Sequence, residues 1–137
     1  MRRLAALFAR HLLDRVSLSP QLPIIIEPRS VPEPDFALLR LRDDDYLDRY
    51  PQPTDIHLVI EVADSSARFD REVKLPLYGR SGIVETWIID LTRDVVVVAT
   101  DPTATGYRTV TEHGLGDVIA PRAFPDAEVD IAALLRR

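Results

Sequence analysis

The chain has 137 residues, 46% hydrophobic and 28% charged, enough for one compact core but not for two, so a single domain over residues 1–137 is expected. It has no cysteine, which excludes a disulfide scaffold and a thiolate zinc site and fits a reducing cytoplasm, the compartment expected for it. A formal net charge of -5 and a pI near 5.1 give no overall attraction for a polyanion, so contact with nucleic acid requires a local basic patch.

Leu4, Leu7, Phe8, His11 and Leu12 recur at helical spacing and predict an amphipathic helix over residues 2–15 with His11 on its apolar side. Arg10, Asp14 and Arg15 interrupt the apolar stretch well short of a membrane span, so the segment reads as neither signal peptide nor anchor. Prolines 20, 23, 28, 32 and 34 then punctuate extended chain, and Ile24-Ile25-Ile26 between them reads as a short strand. Phe36 to Leu41 is a second strand, and the charged, proline-broken residues 42–55 a loop.

Ile56 to Ala63 is the best-defined strand, with Ile56, Leu58, Ile60 and Val62 on one face and His57, Val59, Glu61 and Ala63 on the other. The spacing predicts a helix over 70–81, started late or kinked by Pro76 and ended by Gly82. Glu85–Leu91 and Asp94–Thr100 read as a hairpin around Thr92-Arg93, Tyr107–Glu112 as a further strand, and Ile131–Leu135 as a short closing helix. The order describes an α/β or mixed α+β fold, with one sheet and helices packed against it.

Glu61 is the anomaly in this pattern. It lies in the apolar run Leu58 to Ala63, where an unpaired carboxylate costs several kcal/mol, roughly the effective penalty of a buried ion. Asp35, behind a proline at the entry to a neighbouring strand, supplies a second acid. Two such carboxylates make a set of hard oxygen donors suited to Mg²⁺ or Mn²⁺. Ala63 leaves room beside Glu61, and Lys74, spaced with Asp70 and Tyr78 along one helix face, can reach into that room. An ammonium there would stabilise an anionic phosphodiester transition state. The bland alternative makes Asp70 and Lys74 a surface pair and gives Glu61 an arginine partner.

The strings "PEPDFALLR", "LVIEVADSS" and "DREVKLPLYGRSGIVETWIID", with the closing "AFPDAEVDIAALL", resemble the Uma-two family of restriction-endonuclease-like proteins, a branch of the PD-(D/E)XK nuclease superfamily. The likeness runs from about Gln21 to the C-terminus. It implies a PD-(D/E)XK core, a mixed central sheet flanked by helices, with Asp35 and Glu61 as metal-binding acids and Lys74 as the lysine that this branch carries on the helix instead of the strand. The backbone carbonyl of Val62 is a further candidate ligand. By the same resemblance the chain is expected to be an N-terminally shortened member, and Val31 stands where others often carry an acid. The implied activity is Mg²⁺-dependent hydrolysis of DNA, with a homodimer left open. The alternative is a catalytically inactive module of the same fold that binds nucleic acid or protein.

Other polar residues have plainer readings. His57 stands roughly 13 Å along the strand from Glu61, Asp43-Asp44-Asp45 is a solvated loop, and Trp87 is packing. Glu85 and Asp90 read either as acids supporting the site or as strand-end charges, whereas Arg68, Arg71 and Arg80 are the best phosphate contacts the sequence offers.

Overall fold

A computed structural model describes residues 2–12, 14–21, 23–26 and 31–135 of the chain. Six strands form one sheet in chain order: β1 (Ser17–Pro20), β2 (Phe36–Leu39), β3 (Ile56–Ala63), β4 (Glu85–Asp90), β5 (Val95–Thr103) and β6 (Gly106–Gly114). Neighbours are antiparallel except β3 and β4, which run parallel because a helical segment carries the chain back between them. A two-stranded ribbon of β7 (Val118–Ile119) and β8 (Val129–Asp130), not foreseen from the sequence, leads into α4 (Ile131–Leu135).

Each face of the sheet has its own cover. On one, α1 (Arg2–Leu12) buries Leu4, Phe8 and Leu12 with α4 against Phe36, Leu58, Ile60 and Trp87. The Phe8 ring lies 6.0 Å from Phe36 and 6.1 Å from Trp87, which confirms Trp87 as packing. His11 is exposed and not on the buried stripe. Residue 13 lies outside the described residues, and 14–15 form a turn instead of more helix.

The other face is covered by the segment after β3. It begins at Ala67, earlier than the spacing predicted, with α2 (Ala67–Phe69), a π-helical turn (Asp70–Lys74) and α3 (Leu75–Arg80). Pro76 explains the sequence of turns. It has no N–H to give an interior helix and its ring crowds the preceding turn, so the Leu75 N–H instead bonds the Asp70 carbonyl in a wider loop. Pro76 then falls in the first turn of α3, where a missing donor costs nothing. Leu75, Tyr78 and Ile83 pack over Val59, Ala63 and Ile88. Gly79 lies against the Gly106 backbone so closely that a Cβ would stand 2.7 Å from the Gly106 Cα.

Two strand readings change. Ile24–Ile26 makes only an isolated bridge at Ile26: the Ile24 N–H donates to the Pro32 carbonyl (2.8 Å) and the Ile25 N–H to Pro51 (2.9 Å), so its donors go to two loops. The edge place falls to Ser17–Pro20, which has no apolar alternation to announce it. On β3 the expected alternation holds from Leu58 onward, but a register shift between Leu38 and Leu39 reverses it at the start. Ile56 joins Val59, and His57 meets Phe124 edge-on at 5.0 Å on the α1 side, so His57 does not share Glu61's face. The β4–β5 turn spans residues 91–94, wider than Thr92-Arg93 alone. No helix among the described residues is long and apolar enough to cross a membrane.

Candidate active site

The ladder between β2 and β3 stops at Phe36 opposite Ile60, because Pro34 offers no N–H to extend it. One step beyond, side chains take over. The Asp35 N–H donates to Glu61 Oε1 at 3.0 Å, and the Val62 N–H donates to Asp35 Oδ2 at 2.7 Å. The two acids therefore clip the strands together, each accepting a backbone donor that the ladder would otherwise have used. The Asp35 carbonyl accepts from Gln21 N–H at 3.1 Å, tying the same residue to the end of β1.

Glu61 is 1% exposed, on the face covered by α3. Its second oxygen, Oε2, lies 2.5 Å from Lys74 Nζ and 3.4 Å from the Tyr78 hydroxyl. Lys74 Nζ is also 3.3 Å from Asp70 Oδ1, and Ser66 Oγ donates to Asp70 Oδ2 at 3.4 Å. Asp70 is 4% exposed, so the Asp70–Lys74 pair is no surface pair. Glu61's cation is this lysine and not an arginine. Burial pushes the Glu61 carboxyl above its ordinary value although the Lys74 ammonium and the Asp35 N–H pull it down. For Lys74, burial lowers the pKa, but the bond to Glu61 and the charges of Glu61 and Asp70 outweigh it, and the net direction is upward. Lys74 is an ammonium throughout the neutral range. Burial, then Glu61, raises the Tyr78 hydroxyl, which stays a donor.

The structure thus brings together Asp35, Glu61, Val62 and Lys74, with Asp70, Tyr78 and Ser66 beneath the lysine. Asp70's buried role was the least legible of these: its spacing to Lys74 also fits an exposed helix pair, and only the wide turn above Pro76 directs both inward.

Other candidates fall outside. Glu85 is buried with Oε2 bonded by Trp87 Nε1 (2.9 Å) and Oε1 by Arg122 N–H (2.7 Å), and burial raises its pKa against those two bonds. Asp90 Oδ1 caps the following turn through Thr92 N–H, Thr92 Oγ1 and Arg93 N–H. Burial lowers His57. A cleft of about 340 Å³ opens past the end of β3, lined among others by Ser65, Arg68, Arg71, Asp90 and Arg93, but not by the site acids. Its cations are matched: Arg68 pairs Glu72, while Arg71 and Arg93 share Glu112. Arg80 is exposed elsewhere.

A mixed sheet whose central strand buries an acid, a second acid at the mouth of the next strand, and a lysine delivered by the following helix define the restriction-endonuclease-like fold class. A crystal structure from Anabaena variabilis, described as a putative nuclease belonging to DUF820, has that fold in common with this chain: TM-score 0.74 at 11% identity, covering 98% of this chain and 76% of that one. The chain belongs to the Uma2 family, "Putative restriction endonuclease", which matches residues 1–132. No curated protein matches it.

Proposed function

We propose that the chain is a Mg²⁺-dependent endonuclease, with Mn²⁺ able to substitute, that hydrolyses phosphodiester bonds in DNA. The observation that carries this reading is Lys74 Nζ on Glu61 Oε2, a contact between a helix and a central strand that also reaches Asp35 through its N–H. Nucleases of this family's class are typically metal-dependent. The donor set fits a hard cation, since Asp35, Glu61 and the Val62 carbonyl offer oxygen alone. Among the described residues no three of His, Cys, Asp and Glu converge on one point, and Asp35, Glu61 and the Val62 carbonyl are the residues that would hold the ion. The Val62 N–H faces Asp35, and a strand residue directs its carbonyl to the same edge as its N–H. When bound, the ion would lower the pKa of a water and offset phosphate charge.

The chain's own residues do the rest. The Lys74 side chain is 31% exposed although its ammonium rests on buried acids, and in this reading it serves as the catalytic cation for the phosphate oxygens. Asp70 and Tyr78 are positioning residues that hold the lysine and the glutamate. Incubated with plasmid and single-stranded DNA, the purified chain should nick in Mg²⁺ or Mn²⁺ and stop in EDTA, and Glu61→Ala should abolish cutting. Cutting that survives either treatment sinks the reading.

One observation favours a second reading, an inactive module of the same fold that binds nucleic acid or protein. Both Glu61 oxygens already have protein partners, so the buried charge is compensated without an ion. Calorimetric titration with Mn²⁺ separates the two: heat that vanishes in Asp35→Asn supports the nuclease, and no heat supports the module.

A further inference from the structure

The two edges of the sheet are built differently. β1 has four residues and ends in Pro20, a short edge of the kind that resists pairing. β6 has nine, Gly-Tyr-Arg-Thr-Val-Thr-Glu-His-Gly, with no proline and no lysine. Its ladder to β5 runs without a register shift from Val95 opposite Gly114 to Thr103 opposite Gly106. Residues 108–112 are exposed, Val110 at 39%, and no described strand lies beyond them. The outer backbone groups of a long, regular, β-branched strand are a ready template for another strand.

We propose that the outer edge of β6 docks a second copy of this chain, antiparallel about Val110, so that two six-stranded sheets join into one. Charge selects both the occupant and the register. In a two-fold antiparallel pair, side chains directly opposite must share a face, so the axis passes through a residue. Placed at Val110, it sets Arg108 opposite Glu112 of the second copy, twice, and Thr109 opposite Thr111, both favourable cross-strand pairs. Placed at Arg108 or Glu112, it sets like charges against each other; placed at Thr109 or Thr111, it leaves the arginine facing a valine or a glycine. Arg108 makes no ion pair among the described residues, whereas Glu112 is held in place by Arg71 (2.7 Å) and Arg93 (2.8 Å) on the same face. A carboxylate has about four lone-pair sites and can take a further guanidinium at its outer side.

Sedimentation of the full chain tests this without reference to hydrolysis. The wild type should associate to a dimer, and Arg108→Glu should weaken association about tenfold by turning two attractive pairs repulsive, while Arg108→Lys retains it. Circular dichroism checks that the exposed substitution leaves the fold intact. Because the chain has no cysteine, Val110→Cys creates a single thiol. Under mild oxidation it should give a disulfide-linked dimer at least about tenfold faster than Leu115→Cys, which is more exposed (64% against 39%) but off the axis. A wild type that stays monomeric up to its solubility limit overturns the proposal, as does a dimer indifferent to Arg108→Glu. Equal cross-linking at 110 and 115 overturns the register.

Discussion

Replacing Lys74 by methionine keeps the length of the side chain and deletes its charge, leaving Glu61 at 1% exposure with only the Asp35 N–H and the Tyr78 hydroxyl as partners. Breaking a buried pair from one side costs about 3–5 kcal/mol when the remaining acid must stay ionised. The acid has an escape, however, because it can take a proton. Each pH unit by which its folded pKa rises is worth about 1.4 kcal/mol, so the penalty is exchanged for a further rise of the Glu61 carboxyl above its wild-type position. The sign follows from the direction already present, a Glu61 carboxyl raised by burial. Between the unfolded and the folded pKa the folded chain binds the extra proton, so stability falls as pH rises through that window. Lys74→Met widens the window upward. Urea denaturation should therefore give variant and wild type of similar stability near pH 5 and a gap of about 3–5 kcal/mol near pH 8. Adding Glu61→Gln should remove most of the gap, since neither partner is then charged. A gap independent of pH, or one below about 1 kcal/mol at pH 8, would refute the claim that Lys74 compensates a buried charge.

Gly79→Ala forces a Cβ into the Gly106 backbone and should cost about 3 kcal/mol or more, read as a lowered thermal midpoint. Glu85→Ala strands the Trp87 Nε1–H and the Arg122 N–H and should cost about 1–3 kcal/mol, less if Trp87→Phe is added. Arg93, then Arg71, holds the Glu112 carboxyl down to about 2, so its contribution is present above the usual glutamate range and lost as pH falls toward 2. The group is partly exposed, so Glu112→Gln should cost no more than about 1 kcal/mol and nothing in high salt; a salt-independent loss would show that packing, not charge, is at stake.

The site was legible because its chemistry conflicts with its surroundings. A glutamate inside Leu58–Ala63 needs a partner, and among the cations of the crossover that follows, Arg68 and Arg71 pair with Glu72 and Glu112 while Lys74 meets the glutamate. The strand Ile56–Ala63 and the closing helix Ile131–Leu135 have the bounds that the apolar pattern predicts, and on the strand the alternation itself holds from Leu58 onward. Three features escaped because their causes lie outside the apolar periodicity of the element concerned. The reversal at His57 is set by a bulge in which β3 carries one residue more than β2 between Leu58 and Ile56, the edge strand at Ser17–Pro20 by its neighbour's unpaired groups, and the inward turn of Asp70 by a proline six residues later. Periodicity reports one element's own burial and carries no record of a partner's register.

The reciprocal bonds between Asp35 and the Glu61–Val62 backbone and side chain give these acids a mechanical duty. They are stitches at the seam where two strands separate, whatever else passes between them. Selection can thus keep both in a descendant that has ceased to cut anything, and their presence in a relative's sequence testifies first to a closed seam and only second to turnover.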